Sequence, residues 1–164
     1  MATVISTWTE GSSYNGAMGS PQHTSPLAAI RHIDLCVSDL EASLKFYGEL
    51  LALLGWLVEQ AEEIVGERGE RVIYLPSRGG FGEGALGLRQ AQSPSPAPDR
   101  YSVGLHHLAF NASSREQVEE VWKWIRENKI ENEGPPADYY GAPYHAVFLR
   151  DPDGLKLEVV HRTR

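Results

Sequence analysis

The sequence predicts an α+β fold built from two tandem copies of one βαβββ unit, and three observations carry that expectation. The first is a repeat. His32-Ile-Asp-Leu-Cys-Val-Ser38 is answered by His107-Leu-Ala-Phe-Asn-Ala-Ser113, each position 75 residues after its counterpart (32 to 107, 38 to 113). The second is periodicity: both segments alternate side chains as a strand does, and both precede apolar residues spaced by three and four, as on an amphipathic helix. The third is punctuation. A Ser stands three residues ahead of a Glu after each strand (Ser38 with Glu41, Ser113 with Glu116), the pattern of a capping box.

Taken in order, residues 1–28 are an N-terminal extension rich in Ser, Thr and Gly, with no sustained periodicity. Gly16-Ala-Met-Gly-Ser20 within it looks like a remnant of cloning; the alternative is a natural extension that packs on the surface or on a partner. His23 lies there and is given no role. The first module spans 29–90. Its opening strand, 31–37, puts Ile33, Leu35 and Val37 on one face and His32, Asp34 and Cys36 on the other. Leu40, Leu44, Tyr47, Leu51 and Leu54 form the stripe of the following helix, and Gly55 sits where a left-handed C-cap is wanted. Strands follow at 71–75 and 85–90, with 56–65 a weaker candidate, separated by Gly-rich turns.

Residues 91–101 form a semi-stiff linker, because Pro94, Pro96 and Pro98 remove donors and favour an extended backbone. The second module, 102–164, repeats the order. It has a strand over 103–111 and a helix with Val118, Val121, Trp122 and Ile125 on its buried stripe. A loop over 133–143 follows, then strands at 146–150 and 155–161 joined by Asp151-Pro-Asp-Gly154. Trp122 reads as core and Trp124 as surface.

Composition sets the outer limits on function. With 164 residues, 41% hydrophobic and 23% charged, the chain has room for one domain or two small fused halves. No apolar run approaches the roughly 20 residues that span a bilayer, and no secretory signal is legible, so a cytoplasmic protein with no membrane partner is expected. Cys36 is the single cysteine, which excludes an internal disulfide framework. A net charge of −7 and a pI near 5.3 give no electrostatic footprint for nucleic acid, which leaves a small-molecule substrate as the expected partner.

Chemistry depends on which side chains share a face. In the last strand Leu155, Leu157 and Val159 point to the helix side, which leaves Glu158 on the face of the histidines. If each helix covers one side of its sheet, the opposite sides are free to curl into a cupped mixed sheet around a shared cleft where His32, His107 and Glu158 converge. Two imidazoles and a carboxylate make a first shell for a divalent Fe, Mn, Zn, Ni or Co ion with positions left open for substrate. His106 falls on the parity of Leu108 and Phe110, so His107, in register with His32, is the expected ligand. Asp34 shares the His32 face and could act as a base or hold a substrate hydroxyl; the alternative is a carboxylate at the cavity edge bonded to a neighbouring strand. Cys36 lies about 13 Å along the strand from His32, too far for the same ion, and reads as a small core residue. Tyr139, Tyr140, Tyr144 and His145 crowd the loop before the closing strands. Tyr144 and His145 are taken as catalytic candidates on a lid over the cleft, the alternative being packing at a dimer or sheet edge.

Three stretches carry a resemblance to a known family: Ile30-Arg-His-Ile-Asp-Leu-Cys-Val-Ser-Asp-Leu40 followed by Phe46-Tyr47, then Gly104-Leu-His-His-Leu-Ala-Phe110, then Phe148-Leu-Arg-Asp-Pro-Asp-Gly-Leu-Lys-Leu-Glu158. Together they resemble the vicinal oxygen chelate superfamily, which includes glyoxalase I, fosfomycin-resistance enzymes, bleomycin-resistance proteins and extradiol dioxygenases. The resemblance implies paired βαβββ modules around a metal-binding cleft, with ligands at His32, His107 and Glu158. It also implies a homodimer whose modules pair within a chain or across chains. An enzyme of this kind, a lyase, transferase or dioxygenase, binds two neighbouring oxygens of a small oxygen-rich substrate on its metal. The alternative is a non-catalytic protein of the bleomycin-resistance type that sequesters an antibiotic or other small molecule. One departure stands out: Gly87 aligns with Glu158, where glyoxalase I carries a fourth ligand, so this chain is expected to have a three-ligand site.

Overall fold

A parallel pair of strands cannot be joined by a tight turn, and in each half of this chain a helix makes the crossover. The computed structural model describes residues 30–93, 96, 99–140 and 143–163, with the side chains of 81–83 left out. The extension 1–28 with His23, and Pro94 and Pro98 of the linker, lie outside the described residues. β1 (His32–Val37), α1 (Leu40–Leu53), β2 (Glu62–Val65), β3 (Arg71–Ser77) and β4 (Gly80–Gln90) make the first module. β5 (Leu108–Asn111), α2 (Arg115–Glu127), β6 (Ala137–Asp138), β7 (Tyr144–Arg150) and β8 (Lys156–Arg162) repeat the order. Each module is a four-stranded mixed sheet, β1-β4-β3-β2 and β5-β8-β7-β6, in which first and last strands run parallel and the other pairs antiparallel. This is the α+β architecture that the repeat predicts.

The apolar faces of both modules meet in one core. Val37, Leu75 and Leu88 of the first and Val118, Leu149 and Leu157 of the second belong to the same buried cluster. Polar contacts tie the halves together: Tyr47 donates its hydroxyl to Asp151 Oδ2 at 2.7 Å, Gln117 Nε2 donates to the Leu53 carbonyl at 2.8 Å, and Trp124 Nε1 donates to Glu49 Oε2 at 2.9 Å. Burial pushes both the Tyr47 phenol and the Asp151 carboxyl upward, so the bond between them is made in a dry setting. Because strand side chains alternate, a core on the helix side leaves the faces of His32 and Glu158 turned away from it.

Several local expectations need correction. The helix caps lie one residue later than the Ser–Glu spacing suggests. Asp39 and Ser114 are the extended N-caps, accepting from the Ala42 and Gln117 amides, while the Ser113 amide and hydroxyl both donate to Gln117 Oε1. The 103–111 strand shrinks to Leu108–Asn111, because β8 begins at Lys156 and leaves residues upstream of His107 without a neighbour to pair with. The 56–65 segment resolves into a 3-10 turn, Val58–Gln60, and β2, while the expected 133–143 loop includes β6. Cys36 is exposed rather than core, since its face is uncovered. Trp124 is half-buried between the helices, its ring 5.5 Å from that of Phe46.

Both helices end in a Schellman motif. In α1 the Trp56 amide reaches the Leu51 carbonyl at 2.9 Å, and Gly55 takes the left-handed turn at φ 79. In α2 the equivalent bond runs from Ile130 to Ile125 at 3.0 Å, but the left-handed residue is Lys129, at φ 53. A side chain with a Cβ is disfavoured there by about 1 kcal/mol. Lys129→Gly should therefore add about 1 kcal/mol of stability, seen as a higher urea midpoint, whereas a lower midpoint would show that the Lys129 side chain contributes more than its strain costs. Tyr47→Phe should lower stability by about 1–3 kcal/mol in the same assay, because it strips the buried Asp151 of a donor.

Candidate metal centre

The closing turn determines where the last carboxylate lands. Asp151 Oδ1 accepts from the amides of Asp153 (3.0 Å) and Leu155 (2.8 Å), which folds Asp151-Pro-Asp-Gly154 tightly and starts β8 in a fixed register. Alternation then sends Leu157 and Val159 into the core and Glu158 to the other face, where it is nonetheless only 3% exposed. A carboxylate removed from water must be met by donors or positive charge. Two groups meet this one. Tyr144, from β7, donates its hydroxyl to Glu158 Oε1 at 2.6 Å, and His107, just ahead of β5, brings Nε2 to 3.1 Å from Oε2. The hydrogen bond to Glu158, with burial second, pushes the Tyr144 phenol up to about 12, so it remains a donor at any ordinary pH.

The His107–Glu158 geometry suits a shared ion. An imidazole nitrogen and a carboxylate oxygen 3.1 Å apart are a donor pair of the kind that holds a divalent cation. The adjacent His106 is coupled to this pair: its Nδ1 is 2.7 Å from His107 Nδ1, so one ring donates and the other accepts. With His107 donating at Nδ1, its Nε2 lone pair faces Glu158 Oε2 and a cation between them is required; with His106 donating, His107 Nε2–H is itself the donor to Glu158. His106, set aside as a ligand by parity, thus touches the centre through its neighbour.

His32 stands elsewhere. It lies exposed on the open face of β1, edge-on to Tyr74 with ring centroids 5.6 Å apart. Among the described residues of one chain, no group of three or more His, Cys, Asp or Glu side chains is disposed to hold an ion. The structure therefore joins His107 to Glu158 and leaves His32 on the face of the other module. Asp34, two residues along, accepts at Oδ2 from Arg89 Nη2 at 2.9 Å and from the Tyr74 hydroxyl at 3.2 Å. Arg89 also pairs with Glu70. Beside them opens a hollow of about 860 Å³, lined by Asp34, Cys36, Glu70, Arg89, Gln90 and Asp153 among others. Tyr74 and Arg89 escaped the sequence reading, although the parity of their strands puts them on the Asp34 face.

The structure places His145 away from the Glu158 face. It directly follows Tyr144 in β7, so it points the opposite way, toward α2, and is 5% exposed. Its Nδ1 lies 2.8 Å from Asp138 Oδ1 and its Nε2 3.1 Å from Glu119 Oε1, a clamp between β6 and α2. Arg115 first, and His145 second, hold the Asp138 carboxyl below its usual range. Tyr140 is exposed and meets Tyr144 edge-on at 5.7 Å, while Tyr139 meets Phe148 at 5.2 Å.

Comparison with known proteins gives a consistent result. Residues 29–159 match the family model of the Glyoxalase/Bleomycin resistance protein/Dioxygenase superfamily. A curated relative, the uncharacterized protein YqjT of Bacillus subtilis (strain 168), is 34% identical over 141 residues, covering 80% of this chain and 97% of its own. Among solved structures, a glyoxylase/bleomycin resistance protein/dioxygenase domain from Frankia sp. EAN1pec superposes with TM-score 0.67 at 23% identity, covering 84% of this chain and all of that one. A glyoxalase family protein from Enterococcus faecalis gives TM-score 0.60 at 27% identity, covering 82% and 98%.

The Tyr144–Glu158 bond makes a measurable prediction. Tyr144→Phe should cost about 1–3 kcal/mol near pH 8, since it leaves a buried carboxylate oxygen without a donor. A phenol raised from 10.0 to about 12 on folding holds its proton more tightly in the folded state. Its contribution is thus complete below pH 10 and is lost as the pH rises to about 12. Urea unfolding across that range should show the gap between wild type and Tyr144→Phe closing as the pH rises; a gap that stays constant contradicts the assignment.

Proposed function

Because the chain belongs to the Glyoxalase/Bleomycin resistance protein/Dioxygenase superfamily, we propose that it is a divalent-metal enzyme acting on a small oxygen-rich substrate, with His32, His107 and Glu158 as the three ligands. The observation that carries this reading is the His107–Glu158 pair, a buried carboxylate facing an imidazole nitrogen at 3.1 Å. One positive ion there would offset the buried charge that the Tyr144 bond alone does not neutralise. The donor set, imidazole nitrogen with carboxylate oxygen, fits Fe, Mn, Zn, Ni or Co. Such an ion supplies Lewis-acid chemistry, accepting two neighbouring substrate oxygens and stabilising the negative charge that develops on them.

The residues of the chain do the rest. Tyr144 pins one Glu158 oxygen, which leaves the other directed at the centre, and His106 orients His107. His32 completes the set from a second copy of the chain, as a homodimer with modules paired across subunits. That arrangement is favoured because both polar faces turn away from the core they share, and because one chain gathers only two of the three groups. The substrate enters on the side of the Asp34–Arg89 hollow. No helix among the described residues is long and apolar enough to cross a membrane, and the acidic charge makes nucleic acid an unsuitable partner. An exposed lone thiol suits a reducing, cytoplasmic setting.

Metal analysis of protein purified without chelator or a His tag should find about one ion per chain, lost in His107→Ala and in Glu158→Ala. Mixing His32→Ala with His107→Ala subunits should restore one intact site in every mixed dimer, because that dimer retains one unaltered His32 and one unaltered His107 facing each other. No recovery on mixing would place all three ligands within one chain. A metal-free protein that binds a cationic drug tightly would instead point to sequestration.

A further inference from the structure

The open face of the second module carries a cation beside Glu158 that the metal reading leaves without a role. Alternation along β8 puts Lys156 on the same face as Glu158, two residues away, and the β7 register sets Phe148 opposite Glu158 and Arg150 opposite Lys156. Lys156 Nζ lies 4.1 Å from the centroid of the Phe148 ring and donates to Glu133 Oε2 at 2.7 Å. An ammonium group has three N–H donors, and among the described residues this one makes a single hydrogen bond. Its side chain is only 11% exposed, which leaves little room for water at the other two.

The charges around Lys156 do not balance. Glu133 Oε1 takes Arg100 Nη1 at 2.9 Å and stands 3.7 Å from Arg150 Nη2, while Arg150 Nε reaches Glu131 Oε1 at 3.0 Å. Three cations, Lys156, Arg100 and Arg150, thus share two carboxylates, Glu131 and Glu133, in a chain whose net charge is −7. Burial works to raise the Glu133 carboxyl, yet Lys156 and then Arg100 hold it below its usual range. The surplus of one positive charge stands about 7 Å along β8 from Glu158, the length of two strand residues. We propose that Lys156 anchors a carboxylate of the substrate whose neighbouring oxygens lie at the His107–Glu158 centre. A singly charged group with two oxygens matches one surplus charge and two spare donors. This rests on the metal-enzyme reading and narrows its substrate to a small acid whose carboxylate lies a few bonds from the oxygen pair. Phe148 and Glu133 are positioning residues: the ring carries the ammonium on its face, and the carboxylate fixes its direction.

A matched pair of chelators tests the anchor. The monohydroxamate of malonic acid carries a free carboxylate beside its two adjacent oxygens, and the same molecule with that carboxylate replaced by an amide has equal size without the charge. Binding of each to the Zn²⁺-loaded full-length protein is measured by calorimetry. The acid should bind about 10–100-fold more tightly than the amide, the worth of one charge-assisted hydrogen bond. Lys156→Met and Lys156→Gln should each remove that preference by weakening the acid alone. Zn²⁺ content and affinity for the amide should stay as in wild type, with circular dichroism confirming that each variant is folded. Lys156→Arg, which keeps the charge, should keep the acid ahead. The proposal is overturned if Lys156→Met and Lys156→Gln leave the preference intact. Protein that takes up no Zn²⁺ sinks the metal-enzyme reading and the anchor with it; Zn²⁺-loaded wild type that holds both chelators alike, or neither, sinks the anchor alone.

Discussion

Everything in this molecule depends on a parallel pairing of first and last strands with a helix packed across one side. The crossover helix takes one face of each sheet, and the period-2 alternation of strand side chains then leaves no choice about where the rest go. Ile33, Leu35, Leu157 and Val159 turn inward to a core common to both modules, and His32, Asp34 and Glu158 turn outward. Because the sequence is duplicated, the outward faces carry related chemistry in related positions.

The outward face of the second module is drier than its geometry alone would suggest. Glu158 is almost wholly enclosed without being in the core, which is an expensive place for a carboxylate unless the surroundings are arranged for it. Tyr144 and His107 are that arrangement, one oxygen each. The first module differs: Asp34 is an exposed carboxylate lying over Gly87, held by the Tyr74 hydroxyl and the Arg89 guanidinium.

Much of this was legible before any coordinates. The repeat and its periodicities carry the element order, and parity alone assigns Glu158 to the face opposite Leu157. What failed did so for local reasons. The capping boxes slipped by one residue because Asp39 and Ser114 could also serve as caps and sit where the backbone is extended. The sequence places Tyr144 and His145 together in a loop, whereas β7 starts at Tyr144, and a single step along a strand reverses a side chain. Trp124 looked exposed only because sequence gives no view of a second helix lying alongside. Parity alone puts Tyr74 and Arg89 on the Asp34 face, since Tyr74 and Asp34 both pair with Gly87 and Arg89 pairs with Cys36.

The central claim is that one ion joins the polar faces of two subunits. Anomalous diffraction at the zinc edge, from crystals grown with Zn²⁺, tests it directly. The account predicts a peak about 2.1 Å from His107 Nε2 and from Glu158 Oε2, with His32 of a second copy completing the shell. A peak bonded elsewhere, or a His107–Glu158 pair that stays metal-free while His32 faces solvent, would contradict it.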